Sequence, residues 1–186
     1  QGGLQLTPAR QLYPLKLQYL RVANIQRGFL VLDEIKEIGV LPSEYERTKL
    51  EKEDLLLVEG NGNPREVGRA AIWDGSISDC VHQNHLIRVR PIAGSLSSQY
   101  LLAFINSGSG RSYFHGSGNT TSGLVTISTS TVKRCQIPVP PLSLQNEFAQ
   151  RVTEIRAMEA AQAAGHQRLD DLFKSMLHRA FHDHNV

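Results

Sequence analysis

The run Ile137-Pro138-Val139-Pro140-Pro141 divides the chain into two sequences of different texture. Three prolines in five residues deny the backbone both a helix and a central strand, so regular structure on one side cannot continue into the other. Beyond it, Leu144 to Phe181 covers 38 residues with no proline and with Gly165 as its only glycine. That predicts a helix capped by Ser143 and, at 1.5 Å per residue, roughly 57 Å long. Steps of four and three from Phe148 reach Val152, Ile155, Glu159, Gln162, His166, Leu169, Phe173, Met176 and Ala180. This coiled-coil register is apolar at both ends and polar in the middle, so another helix is the expected partner and Glu159, Gln162 and His166 would set its register. A bend at Gly165, giving two shorter helices folded together, is the alternative.

Before the prolines the pattern changes to short apolar runs separated by Gly, Asn and Pro. Tyr19 to Ile25, Asp54 to Val58, Ala70 to Trp73, Leu86 to Val89, Leu124 to Ile127 and Cys135 to Val139 read as strands. Ser98 to Ser107 reads as a helix, with Ser97 or Ser98 as its cap and Tyr100, Leu101, Phe104 and Ile105 on one face. Glu59 to Arg65, Val81 to His85 and Ser107 to Gly123 read as long polar loops. The expected fold class is therefore α+β. A β-rich globular domain over residues 1–141 is followed by a spacer or pairing helix over 142–186.

A chain of 186 residues can bury a core without staples, and two cysteines, Cys80 and Cys135, make no disulfide framework. A reducing, cytoplasmic setting is the expectation. No apolar run approaches the ~20 residues of a membrane helix, which excludes a helical membrane protein and predicts no membrane partner. The opening Gln1-Gly2-Gly3, without an initiator Met, reads as the start of an excised piece of a longer chain.

The net charge of +2 is unevenly distributed. Cys80 through Pro141 contains no Asp or Glu but carries Arg88, Arg90, Arg111, Lys133 and Arg134, whereas Asp33 to Asp54 holds eight acids against four bases. One side of the molecule is therefore expected to be basic.

Catalytic signatures are absent from the sequence. Gly60-Asn61-Gly62-Asn63-Pro64 follows a strand but lacks the GK[ST] ending of a phosphate loop and the third glycine of a dinucleotide turn. No G-x-S-x-G elbow or H-E-x-x-H pair occurs, and the acid-free middle lacks the carboxylates of hydrolytic sites. A non-catalytic chain without a cofactor is expected. Cys80, His82 and His85, with Cys135 or His115 as a fourth ligand, are close enough in sequence to be weighed as a zinc site, but the two well-spaced ligand pairs of structural zinc are missing and no metal is predicted. His178, His182 and His184 read as cations near a helix C-terminus. The polar loops instead offer hydrogen-bonding reach. Asn61, Asn63, Gln83, Asn84 and Asn119 carry the donor–acceptor pair that matches adenine. Arg65, Arg69 and Arg111 carry the fork that matches guanine or phosphate. Tyr113 and Phe114 could stack or touch thymine methyls, and Lys133 adds a cation. Turn chemistry, or anchoring of a loop to its own core, is the structural alternative for each.

Tyr19 to Ile38, Lys52 to Gly68 (KEDLLLVEGNGNPREVG), His82 to Pro91 (HQNHLIRVRP) and Val132 to Gln145 (VKRCQIPVPPLSLQ), followed by a long helix ending LFKSMLHRAF, resemble a target-recognition domain of type I restriction-modification specificity subunits. The P-P-L-x-x-Q seam and the VEGNG loop are its most specific pieces. The family often has Glu before the seam Gln, where Leu144 stands here. The resemblance implies half of a subunit, lacking its first strand, that reads one part of a bipartite double-stranded DNA target. Methyltransferase (modification) subunits and a restriction/translocase subunit would supply the chemistry. The helix would space two such domains, and two copies paired head-to-tail through Phe148, Val152, Ile155, Leu169, Phe173 and Met176 would imitate a full subunit. The specificity region of a single-chain restriction enzyme-methyltransferase and a protein-binding assembly module are the alternatives.

Overall fold

The computed structural model describes residues 1–121 and 124–182. The chain forms two compact units, Gln1–Gln145 and a second starting at Asn146. The architecture is α+β, with a long C-terminal helix.

The first unit contains three small sheets. In one, β1 (Leu15–Leu20) lies between antiparallel β2 (Lys36–Val40) and parallel β6 (Val81–His82), with Leu17 facing Ile38 and Leu20 facing His82. In the second, β3 (Leu55–Val58) lies between β5 (Ala70–Ile72) and β7 (Leu86–Val89), both antiparallel. All four residues of β3 are buried, because one face meets Val67, Ile87, Leu101 and Phe114 while the other meets Leu20, Trp73, Cys80 and Leu86. An apolar run with no alternation is what burial on both faces requires. In the third sheet β9 (Leu124–Thr126) pairs antiparallel with β4 (Gly60–Asn61) and β8 (Asn119–Thr121).

α2 (Ser98–Asn106) starts at Ser97, whose hydroxyl accepts from the Tyr100 amide, and buries Ser98, Leu101, Leu102 and Ile105. The half-buried Tyr100 and Phe104 flank this face. The seam glutamine joins the helix to the proline run. Gln145 is fully buried, its Oε1 accepts from the Ser97 amide at 2.8 Å, and its Nε2 donates to the carbonyls of Pro140 (2.8 Å) and Ser95 (3.3 Å). A buried carboxamide with both ends satisfied ties the Ser95–Ser97 segment to Pro140 within the first unit.

Several elements depart from the expectation, each for a local reason. Tyr19 to Ile25 is not one strand: β1 ends at Leu20, and buried Asn24 turns the chain by accepting from the Arg21 amide (2.9 Å) and donating to the carbonyls of Val31 (2.8 Å) and Glu34 (3.1 Å). The acidic segment holds β2 and α1 (Pro42–Thr48), whose Glu44 receives a two-pronged bond from Arg10. Cys135 to Val139 is not a strand. It leaves the short α4 (Thr129–Arg134) in extended form, because its prolines cannot donate to a ladder. Ser107 to Gly123 is not a continuous loop, since α3 (Gly108–Gly116) occupies most of it. The polar loops after β3 and β5 also contribute the two-residue strands β4 and β6.

α5 (Leu142–His182) continues through Gly165 without a break and begins before Ser143, its first turn closing on the Pro141 carbonyl rather than on a serine cap. Ile155, Leu169, Phe173 and Met176 of the expected register are at least half exposed in the single chain, and so are Met158, Leu172 and Phe181 outside it. Toward the C-terminus, Leu169, Leu172, Phe173, Met176 and Leu177 make an apolar stripe broader than a two-position seam.

Candidate nucleic-acid interface

Two of the predicted arginines meet on one surface. Arg65, from the loop between β4 and β5, and Arg111 of α3 line a groove of about 500 Å³ together with Gly108, Ser112, His115 and Gly116. No carboxylate is among these walls. The groove exists because a Gly/Ser-rich stretch folds as α3. Ser107 caps that helix by accepting from the Gly110 amide at 3.3 Å, and Phe114 plugs it into the core. Gly110 is there for room: a Cβ on it would lie 2.4 Å from the carbonyl oxygens of Phe104 and Ile105.

The asparagines of the VEGNG loop shape the loop. Asn61 Oδ1 accepts from the Asn63 amide (2.9 Å) and Asn63 Oδ1 from the Arg65 amide (3.1 Å), two successive Asx turns that project Arg65 outward. Arg69 points inward instead. Its side chain is only 12% exposed, bonded to Glu66 and to the Val22 carbonyl. Tyr113 is half-buried, packs edge-on to Phe114 and donates its hydroxyl to the Thr131 carbonyl, which leaves it an anchor of α3. Gln83 is buried, and half-buried Asn84 follows it in the turn before β7; neither lines the groove. Exposed Lys133, on α4, lies near the Gln1 amino group, whose pKa is lowered by burial and then by Arg88 and Lys133. The side chain of Asn119 lies outside the described residues.

Arg27 belongs to the same neighbourhood and escaped the sequence reading. Its guanidinium donates to the Arg65 carbonyl (2.9 Å) and to Asn106 Oδ1 (3.3 Å) and approaches Glu66 at 3.8 Å. Burial lowers its pKa, Glu66 opposes this, and Arg111 and Arg69 lower it further. Arg27 and Arg69 thus share one glutamate, with Arg111 close enough to be felt by Arg27. The only sequence signal was a basic residue next to Gly28 in a polar turn.

The basic side expected from the acid-free stretch is smaller than its charge count implied. Arg90 is tied to buried Asp54 through two bonds of 2.7 and 2.8 Å and to Glu51, and Arg88 donates to the Lys49 carbonyl, so both face the acidic segment. Excess positive charge is left around Arg65 and Arg111. Among the described residues no three His, Cys, Asp or Glu side chains converge as a metal site. Cys80 and His82 are buried, and burial drives the Cys80 thiol up to about 12. No helix is long and apolar enough to cross a membrane among the described residues.

No family model matches the chain. The chain is 30% identical over 171 residues to the EcoKI specificity subunit of Escherichia coli K12, a type I restriction enzyme, an alignment covering 87% of this chain and 36% of that protein. It is 26% identical over 170 residues to the StySPI specificity subunit of Salmonella potsdam, also of a type I restriction enzyme, covering 89% and 37%. The chain thus resembles type I restriction enzyme specificity subunits over nearly nine-tenths of its own length. Its fold is also that of the HsdS subunit crystal structure from Thermoanaerobacter tengcongensis, with a TM-score of 0.59 and 16% identity over all of this chain and 48% of that one. The chain therefore spans a little over a third of the length of the specificity subunits it matches in sequence.

Proposed function

We propose that this chain recognises double-stranded DNA in a sequence-specific manner, as part of a type I specificity subunit, and performs no catalysis itself. The groove that joins Arg65 to Arg111 carries this reading. It is cationic, free of lining carboxylates, and sets one arginine on an Asx-turn loop and another on a helix, forks of the kind that bind phosphates and base edges. Residues 1–141 act as the target-recognition domain and α5 as a spacer. Methyltransferase subunits and a restriction/translocase subunit are the partners that would methylate and cleave.

A test uses the whole chain and a pool of short random-sequence duplexes. Selection should enrich one sequence, and affinity for it should fall with log salt at a slope of about −0.9 per phosphate neutralised. Absence of enrichment and a flat salt response would remove the proposal in favour of a protein-binding role.

The exposed stripe of α5 supports a second part of the proposal, that two copies pair through their helices head-to-tail. Such a pair would select a symmetric target.

A further inference from the structure

Three separate segments meet at Asn106, the last residue of α2. Its Nδ2 donates to the Ala70 carbonyl (3.0 Å) while its Oδ1 accepts from the Ala70 amide (3.2 Å) and from Arg27 (3.3 Å). Arg27 sits in a tight turn closed by a bond from the Gln26 amide to the Phe29 carbonyl. The turn is pinned to β5 through Gly28, at φ 93°, whose amide donates to the Ala70 carbonyl. From that fixed base the guanidinium reaches across to the carbonyl of Arg65. The amide of Arg65 is already held by Asn63, so both polar groups of its backbone are tied while its side chain is exposed in the groove.

We propose that Arg27 is a positioning residue for DNA reading: by clamping the Arg65 carbonyl against Asn106 it fixes the direction in which Arg65 enters the groove. This rests on the DNA-recognition reading above. With only a quarter of its side chain exposed, Arg27 is badly placed to meet a phosphate itself. Its planar fork serves Asn106, Arg65 and Glu66 from one position, and a lysine ammonium, with one nitrogen, cannot bridge those separated acceptors in the same way. Rigid placement of a bidentate donor decides discrimination between bases, whereas the number of phosphates neutralised decides salt dependence.

The experiment compares Arg27→Lys and Arg27→Met with the unaltered chain. The probes are the duplex enriched from the random pool and a scrambled duplex of equal composition, with thermal melting as the check on folding. Arg27→Lys should lower the ratio of enriched to scrambled affinity by about tenfold or more while leaving the log-salt slope within error. Arg27→Met should do the same. Undiminished discrimination in a folded Arg27→Lys chain would overturn the inference. So would loss of affinity for both duplexes together with a shallower slope, which marks a direct phosphate contact. If the unaltered chain enriches no sequence, the DNA-recognition reading fails first; if it enriches one that Arg27→Lys reads equally well, only the positioning role fails.

Discussion

Gly68 lies directly against the ring of Phe114. A Cβ on Gly68, whose φ is 75°, would stand 2.7 Å from Phe114 Cβ and Cγ. Gly68 belongs to the segment that carries Arg65, and Phe114 to the helix that carries Arg111, so this contact joins the two elements that wall the candidate groove. Gly68→Ala should combine left-handed backbone strain with a clash in the core and destabilise the chain by about 2–4 kcal/mol. Urea denaturation measures it. A change below about 0.5 kcal/mol would mean that the contact does not hold the two walls together.

Arg111→Ala and Arg65→Ala are expected to weaken binding to the enriched duplex, by about 1–3 kcal/mol where the arginine reads a base. If Arg111 meets a phosphate instead, the salt slope should become shallower by about 0.9 and discrimination should survive. Titration at several salt concentrations separates the two, and an unchanged isotherm would take the residue out of the interface.

Asp54→Ala should destabilise the first unit by about 2–3 kcal/mol, because it removes two charge-assisted bonds to Arg90 and the acceptor of the Glu51 amide. Arg90 would keep only Glu51 as an acidic partner, and the loss of one carboxylate makes this surface outside the groove more positive. Weak, sequence-independent duplex binding should therefore increase even as stability falls, a combination that filter binding and thermal melting can check together.

His82 is fully buried, and burial followed by the Arg88 charge lowers its pKa to about 4. Above the ordinary histidine range both folded and unfolded forms are neutral, and the group contributes no pH dependence. As pH falls below that range the unfolded chain takes up a proton that the folded chain refuses until about pH 4, so stability declines through this window. The decline from pH 7 to 5 should be about 2 kcal/mol from this residue. In His82→Leu the dependence should flatten by that amount, and parallel curves for the two proteins would exclude His82 as its source.

The unaltered chain should sediment above its monomer mass of 20.7 kDa at micromolar concentration, and Phe173→Asp should return it to that mass. Far-ultraviolet and near-ultraviolet dichroism should show the first unit still folded. An unaltered monomer before the substitution would remove helix pairing from the proposal.

Ser97 capping α2, the four-residue β7 and the uninterrupted α5 were all legible in the sequence, because capping, apolar periodicity and the absence of proline act between residues close in the chain. α3 was not. Its glycines argue against a helix locally, and Gly110 is demanded only by carbonyls of the preceding helix that no periodicity announces. The site divided in the same way. The Asn61–Arg65 loop and Arg111 were visible as polar residues in polar stretches, but Arg69, Gln83 and Tyr113 turned out to face inward, while Arg27 and Asn106 gained their roles from partners far along the chain.

The sequence by itself determined the class of the fold, the long helix and the family resemblance, since these rest on local conformational preference and residue pattern. Tertiary structure decided which cations remain outward. Arg90 is neutralised by Asp54, 36 positions away, and Arg27 is spent on holding Arg65, whereas Arg65 and Arg111 stay in solvent. Charge is counted along a chain, but ion pairing and desolvation depend on distance in space, and only the folded core brings those partners within reach.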